Sequence, residues 1–144
     1  MNSNERILIV AAHPDDEVLG CGATIAKYRS MNVPIRVIFM AEGVTSRFND
    51  KELSMQHVVA ATKLRNDNAF KALKILNIPK KEVYVNDRYC CRLDSVAQLE
   101  LVKEIEFHIK EWCPTSVFTH APYDINIDHR MTYESVLAAS RPTN

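Results

Sequence analysis

Ile7-Leu8-Ile9-Val10-Ala11-Ala12 is an unbroken apolar run, and it passes directly into His13-Pro14-Asp15-Asp16-Glu17. A strand that alternates apolar and polar side chains covers one face of a sheet, whereas one apolar at every position has no face for water. Such a strand belongs in the middle of a sheet with helices on both sides. The rest of the chain must then supply the flanking strands and the covering helices.

It does so in alternation. A helix is expected from about Asp16 to Met31, and a second strand near Ile35 to Ala41, opened by Pro34. The stretch Glu42 to Leu53 is polar, broken by Gly43, and reads as a loop. Leu64, Ala69, Phe70, Leu73 and Leu76 recur at helical spacing, so a long helix runs from about Ser54 to Asn77. Pro79 ends it, and Glu82 to Asn86 makes a short third strand. Asp94 or Ser95 can cap the next helix, whose apolar residues Val96, Leu99, Val102, Ile105, Ile109 and Trp112 step by three and four. Pro114 stops that helix, Thr115 to Thr119 is a fourth strand, and a last helix spans about Asp128 to Ser140. The pattern predicts one α/β domain over residues 1–144, a Rossmann-like three-layer sandwich. Its sheet is mostly parallel, of order 3-2-1-4, with right-handed crossovers and helices on both faces. In that order strands 1 and 4 are neighbours where the winding reverses, and ligands of open α/β sheets bind at such a crevice.

Composition narrows the classes. The 144 residues carry equal numbers of basic and acidic groups, without a basic stripe, so a nucleic-acid partner is not expected. Apolar runs are far shorter than the roughly 20 residues of a membrane span, and the first residues do not read as a signal peptide. Cys21, Cys90, Cys91 and Cys113 lack C-x-x-C spacing and read as reduced thiols of a cytoplasmic protein. Gly20 and Gly22 fall inside the first helix, where they would let it pack closely on the sheet; no glycine-rich phosphate loop is present.

Two polar clusters remain. One follows strand 1, His13 to Glu17; the other follows strand 4, Asp124-Ile125-Asn126-Ile127-Asp128-His129-Arg130. The topology brings both to one crevice, where a histidine, a carboxylate and a second histidine would form a catalytic zinc site with a fourth position left for water. Singly, each cluster has a plainer explanation. Acids at a helix N-terminus gain roughly 0.3–1 kcal/mol from the dipole, and Asp128 could be an N-cap. Jointly, three successive acids beyond a buried strand repel one another, and a cation would relieve that. His57 and His108 read as surface or boundary residues of helices, whereas His120 ends strand 4 and points into the crevice. Arg47, in the loop over the crevice, is a candidate substrate contact, and Arg130 a weaker one.

Ala12-His13-Pro14-Asp15-Asp16-Glu17 after an Ile/Leu/Val strand resembles the signature of the PIG-L/LmbE-like de-N-acetylases, and Asp128-His129 resembles their second motif. Glu42-Gly43, Arg47, Arg65 and the helix end at Ala69 to Ile78 fall between them in the family's order. The resemblance implies that His13, Asp16 and His129 bind zinc, that Asp15 is the general base, and that the substrate is an N-acetylated sugar such as an N-acetylglucosamine conjugate. Another divalent first-row metal would also suit a His-Asp-His set. One position departs: where family members often carry a histidine, this chain has Asn126, which can donate a hydrogen bond but cannot transfer a proton. Asp15 acting first as base and then as acid, or help from His120, would have to compensate, with Asn126 or His120 steadying the developing oxyanion. Asp128 could hydrogen-bond a liganding imidazole or support the loop. The rival reading is a non-catalytic Rossmann-like metal- or ligand-binding module, favoured by Asn126 and by a sequence that stops soon after the second motif. Strand 4 would then be an uncovered edge, which points to a truncated chain or to a covering partner such as a homo-oligomer.

Overall fold

A computed structural model describes residues 5–142. Strands β1 (Ile7–Ala11), β2 (Ile35–Phe39), β3 (Val83–Val85) and β4 (Ser116–Phe118) alternate with helices α1 (Asp16–Ser30), α2 (Gln56–Ile75), α3 (Gln98–Trp112) and α4 (Ile127–Ala139). The sheet has the order β3-β2-β1-β4 and every pairing is parallel. Ile7 stands between Ile35 and Ser116, and Ile9 between Val37 and Phe118. The carboxyl ends of β1 and β4 therefore lie side by side, as the 3-2-1-4 pattern requires.

Successive strand side chains point to opposite faces, and that alternation divides the core. Leu8, Val10 and Ile38 face Leu101, Val102 and Ile105 of α3 and Val136 of α4. Ile7, Ile9, Ile35, Val37 and Phe39 face Ile25 of α1 and Ala69 and Leu73 of α2. β1 and β2 are buried at every position, which is why β1 reads as a continuous apolar run. Each fully buried aliphatic side chain stabilises the fold by roughly 1.5–3 kcal/mol.

Several local expectations change. Helix α3 starts at Gln98, because Leu93–Ser95 forms a separate 3-10 turn whose Leu93 is buried against the core. The segment after β2 is not a plain solvated loop: Glu42, Gly43, Val44 and Thr45 are all buried, and 3-10 turns form at Thr45–Arg47 and Asp50–Glu52. The glycines of α1 do not mediate close packing. A methyl group at Gly20 would meet nothing within 4 Å, and at Gly22 only Val18 at 3.6 Å. Among the described residues β4 pairs with β1 alone, and no helix is long and apolar enough to cross a membrane.

His57 is exposed, as expected, but His108 is not a boundary residue. It is buried on α3, with its ring against Tyr84 and Arg36 Nη1 3.5 Å from its Nδ1. Arg36 itself is buried on β2 and bridges Glu82 (2.9 Å) and Glu111 (2.7 Å). Burial, and then the Arg36 charge, lower the His108 pKa below its ordinary 6.5. The unfolded chain thus takes up a proton near pH 6.5 that the folded chain refuses, so stability falls as pH drops below that value. Urea unfolding at pH 7.5 and 5.5 should show a larger loss for the native chain than for His108→Gln; equal losses would exclude His108 as a source.

Candidate metal centre

β1 ends at Ala11, and the chain leaves the sheet through Ala12 and His13 before α1 begins at Asp16. The Asp16 carboxylate folds back and accepts the His13 backbone N–H at 2.8 Å, closing that turn. On the neighbouring strand end, a longer loop carries the chain to α4, where His129 occupies the first turn. The two segments meet. Asp16 Oδ2 lies 3.4 Å from His13 Nδ1 and 3.4 Å from His129 Nε2. Ligand atoms of His13, Asp16 and His129 all fall within 4.8 Å of one another.

Each imidazole is held from behind. His13 Nε2 lies 2.8 Å from Asp128 Oδ2, and His129 Nδ1 lies 2.8 Å from Asp124 Oδ2. The nitrogens left facing Asp16 are Nδ1 of His13 and Nε2 of His129. Carboxylates on the far nitrogen fix the tautomer and orientation of metal-binding histidines, so the donor chemistry fits a divalent cation. Asp128 is fully buried and also accepts the backbone N–H groups of Cys91 (2.5 Å) and Leu93 (3.0 Å). It bonds an imidazole and anchors a loop together, combining the two tasks foreseen for it. Burial works against a charged His13, but Asp128, Asp16 and Cys90 outweigh it and its pKa is pushed up to about 12.

The three successive acids do not crowd. Asp15 turns to Arg65 of α2, with Oδ2 2.8 Å from Nη2. Asp16 faces the histidines. Glu17 is buried and accepts the Asp15 N–H at 3.0 Å. Asp15 has φ 153°, a backbone state costing a non-glycine residue on the order of 1–3 kcal/mol, and Glu17 and Arg65 hold it there.

Other foreseen residues have more constrained places. His120 Nε2 accepts the Ala12 N–H at 2.8 Å, and its ring stacks on His129 with centroids 4.0 Å apart. Burial, and then the neighbouring His129, push its pKa down to about 4. Asn126 is the N-cap of α4, its Oδ1 accepting the Asp128 N–H at 2.9 Å. Arg130 Nη1 donates to the carbonyls of Asp124 and Ile125, both at 2.8 Å, and so clamps the loop that carries Asp124. Arg47 stands exposed on its 3-10 turn.

Three contributors were not singled out from sequence for these contacts: Asp124 behind His129, Arg65 beside Asp15, and Glu42. The buried Glu42 carboxylate gathers the N–H groups of Val44 (2.8 Å), Thr45 (3.0 Å) and Cys90 (2.9 Å), tying the segment after β2 to the one after β3. An acid directly beyond a buried strand was the available signal. Gly43 completes that corner at φ +76°, where a Cβ would lie 2.8 Å from Arg65 Nε and 2.9 Å from His13 Cβ. Gly43→Ala should therefore cost on the order of 1–3 kcal/mol and weaken metal uptake; calorimetric titration showing unchanged affinity would contradict this placement. A cavity of about 670 Å³ is lined by Glu42 together with Thr45, Val58, Thr62 and Lys63, and none of the three candidate ligands lines it.

Comparison with known proteins identifies relatives of the whole fold. A family profile described as PIG-L, GlcNAc-PI de-N-acetylase, matches residues 8–140. The uncharacterized deacetylase YaiS of Escherichia coli (strain K12) is 28% identical over 148 aligned positions, covering 97% of this chain and 70% of that protein. N,N'-diacetylchitobiose deacetylase from Pyrococcus horikoshii superimposes with a TM-score of 0.77 at 25% identity, over 94% of this chain and 49% of that one. This chain thus spans about half the length of that solved structure. GalB, the 4-carboxy-2-hydroxymuconate hydratase of Pseudomonas putida KT2440, shares the fold at 19% identity and a TM-score of 0.72, over 94% of this chain and 55% of that one. The fold alone therefore does not choose the reaction.

Proposed function

Because the chain belongs to the PIG-L (GlcNAc-PI de-N-acetylase) family, we propose that it is a metal-dependent hydrolase that removes the acetyl group from an N-acetylated sugar. The observation that carries the proposal is the meeting of His13, Asp16 and His129 at one point, each imidazole backed by its own carboxylate. In this reading His13 Nδ1, an Asp16 carboxylate oxygen and His129 Nε2 hold the ion. Zinc suits that set, and another first-row divalent metal would serve.

A divalent ion there would supply Lewis acidity, polarising the acetamide carbonyl and acidifying water near neutral pH. The protein groups do the rest. Asp15 takes the proton of the attacking water and returns it to the sugar nitrogen as the amide C–N bond breaks, leaving acetate and an amine. Arg65 holds the Asp15 carboxylate through a 2.8 Å ion pair. His120 cannot deliver that proton as an imidazolium, because it stays neutral and its Nε2 is engaged by Ala12. Its Nδ1–H is left to donate to the oxyanion. The Asn126 carbonyl is committed to the helix cap, which leaves only its amide N–H groups for the same task. Arg47 remains the candidate grip on the rest of the substrate, while Arg130 shapes the site through its loop.

A second reading, a metal-binding module without turnover, draws on the place of Asn126 as a helix cap. Acetate release from a panel of N-acetylglucosamine conjugates, with zinc supplied and then chelated, separates the two. Release that disappears with chelator supports the enzyme; metal uptake without release on any conjugate supports the module.

A further inference from the structure

The corner where α2 ends and β3 begins carries a patch that the metal centre does not use. A cavity of about 450 Å³ lies there, lined by the apolar Phe70, Ile78 and Val83 and by Lys71, Lys74 and Lys80. No acid lines it. Lys71 and Ile75 are four apart on α2, as are Phe70 and Lys74, so each pair is adjacent on the helix surface. Ile75, the last residue of α2, is 81% exposed. Lys81 follows Lys80 on a 3-10 turn, and Arg29 of α1 reaches the same corner by donating to the Asn77 carbonyl at 3.0 Å. In sequence, apolar residues dilute these lysines. The fold gathers them.

The acids closest in sequence are committed elsewhere. Glu82 pairs with Arg36 at 2.9 Å, and Asp67, one turn before Lys71, lines the larger cavity. Among the described residues every ion pair is made by an arginine or a histidine, so the four lysines stand free. A chain of zero net charge thus keeps an unneutralised cationic corner around an exposed apolar side chain. Clusters of roughly four to eight Lys and Arg suit anionic lipid surfaces, and stable attachment takes apolar burial as well as charge.

We propose that this corner docks the chain on an anionic membrane surface. Ile75 and the cavity beside it take up acyl chain, while Lys71, Lys74, Lys80, Lys81 and Arg29 meet the lipid anions. Every strand runs parallel, so the start of β3 and the metal centre lie at opposite ends of the sheet. Docking therefore leaves the metal centre open to water, and it does not depend on the reaction performed there.

The test is co-sedimentation of the whole chain with vesicles. Phosphatidylserine-rich vesicles should carry the chain down, phosphatidylcholine vesicles should not, and high salt should release it. Each lysine near an anionic surface strengthens attachment about fivefold, so Lys74→Gln with Lys80→Gln should weaken partitioning about 25-fold. Ile75→Ser should weaken it about tenfold. Lys103→Gln with Lys110→Gln, the same charge change on α3 across the sheet, should have little effect. No partitioning onto phosphatidylserine-rich vesicles overturns the proposal, even if the chain binds a soluble polyanion such as polyglutamate. Equal partitioning onto phosphatidylcholine, or an equal loss in the α3 variant, overturns it too.

Discussion

His129→Ala is expected to leave the fold intact, release the bound divalent ion, and lower turnover by more than about 100-fold, the upper end for loss of a mere supporting partner. His129 is only partly buried and sits in the first turn of α4, whose cap, Asn126, and buried contacts, Thr132, Ser135 and Val136, it does not provide. Truncation therefore removes no core packing. It does leave Asp16 and Asp124 without the imidazole that both face. Metal analysis after dialysis, with circular dichroism as the control for folding, decides the matter. Full retention of metal would remove His129 from the ligand set.

Asp15→Asn is expected to keep the metal and the fold while slowing turnover by about 100- to 10,000-fold, the range for a lost general base. The Asp15–Arg65 pair is half exposed on the acid's side, and such pairs contribute roughly 0–1 kcal/mol, so stability should barely change. Asp15→Gly sharpens the test. Glycine adopts the backbone state that strains Asp15, so that variant should fold at least as stably as the native chain and still be inactive. Unimpaired acetate release from either variant would remove the general-base role from Asp15.

The two polar segments and the sheet that joins them were legible because both follow from one buried strand. An apolar run with no polar face fixes β1 in the middle, alternation of elements fixes the parallel order, and that order places β1 and β4 side by side. What lay beyond the sequence depended on side chains bending back toward the site from elsewhere. Asp124 reaches His129 across a loop turn, Arg65 comes from the middle of α2 to meet Asp15, and Glu42 collects amides from two loops. His108 was misread for a related reason. Helical periodicity places it near the boundary, but β2 carries a buried arginine and β3 a tyrosine that close over it. Asn126 and Arg130 were read as groups free for chemistry, whereas the local turn uses part of each.

X-ray absorption on the chain carrying one equivalent of zinc tests the metal assignment most directly. Two imidazole nitrogens and oxygen neighbours at roughly 2.0–2.2 Å, reduced to one imidazole in His129→Ala, is the predicted result. A sulfur neighbour at about 2.3 Å in that first equivalent, or a spectrum unchanged by His129→Ala, would place the ion elsewhere and contradict the account.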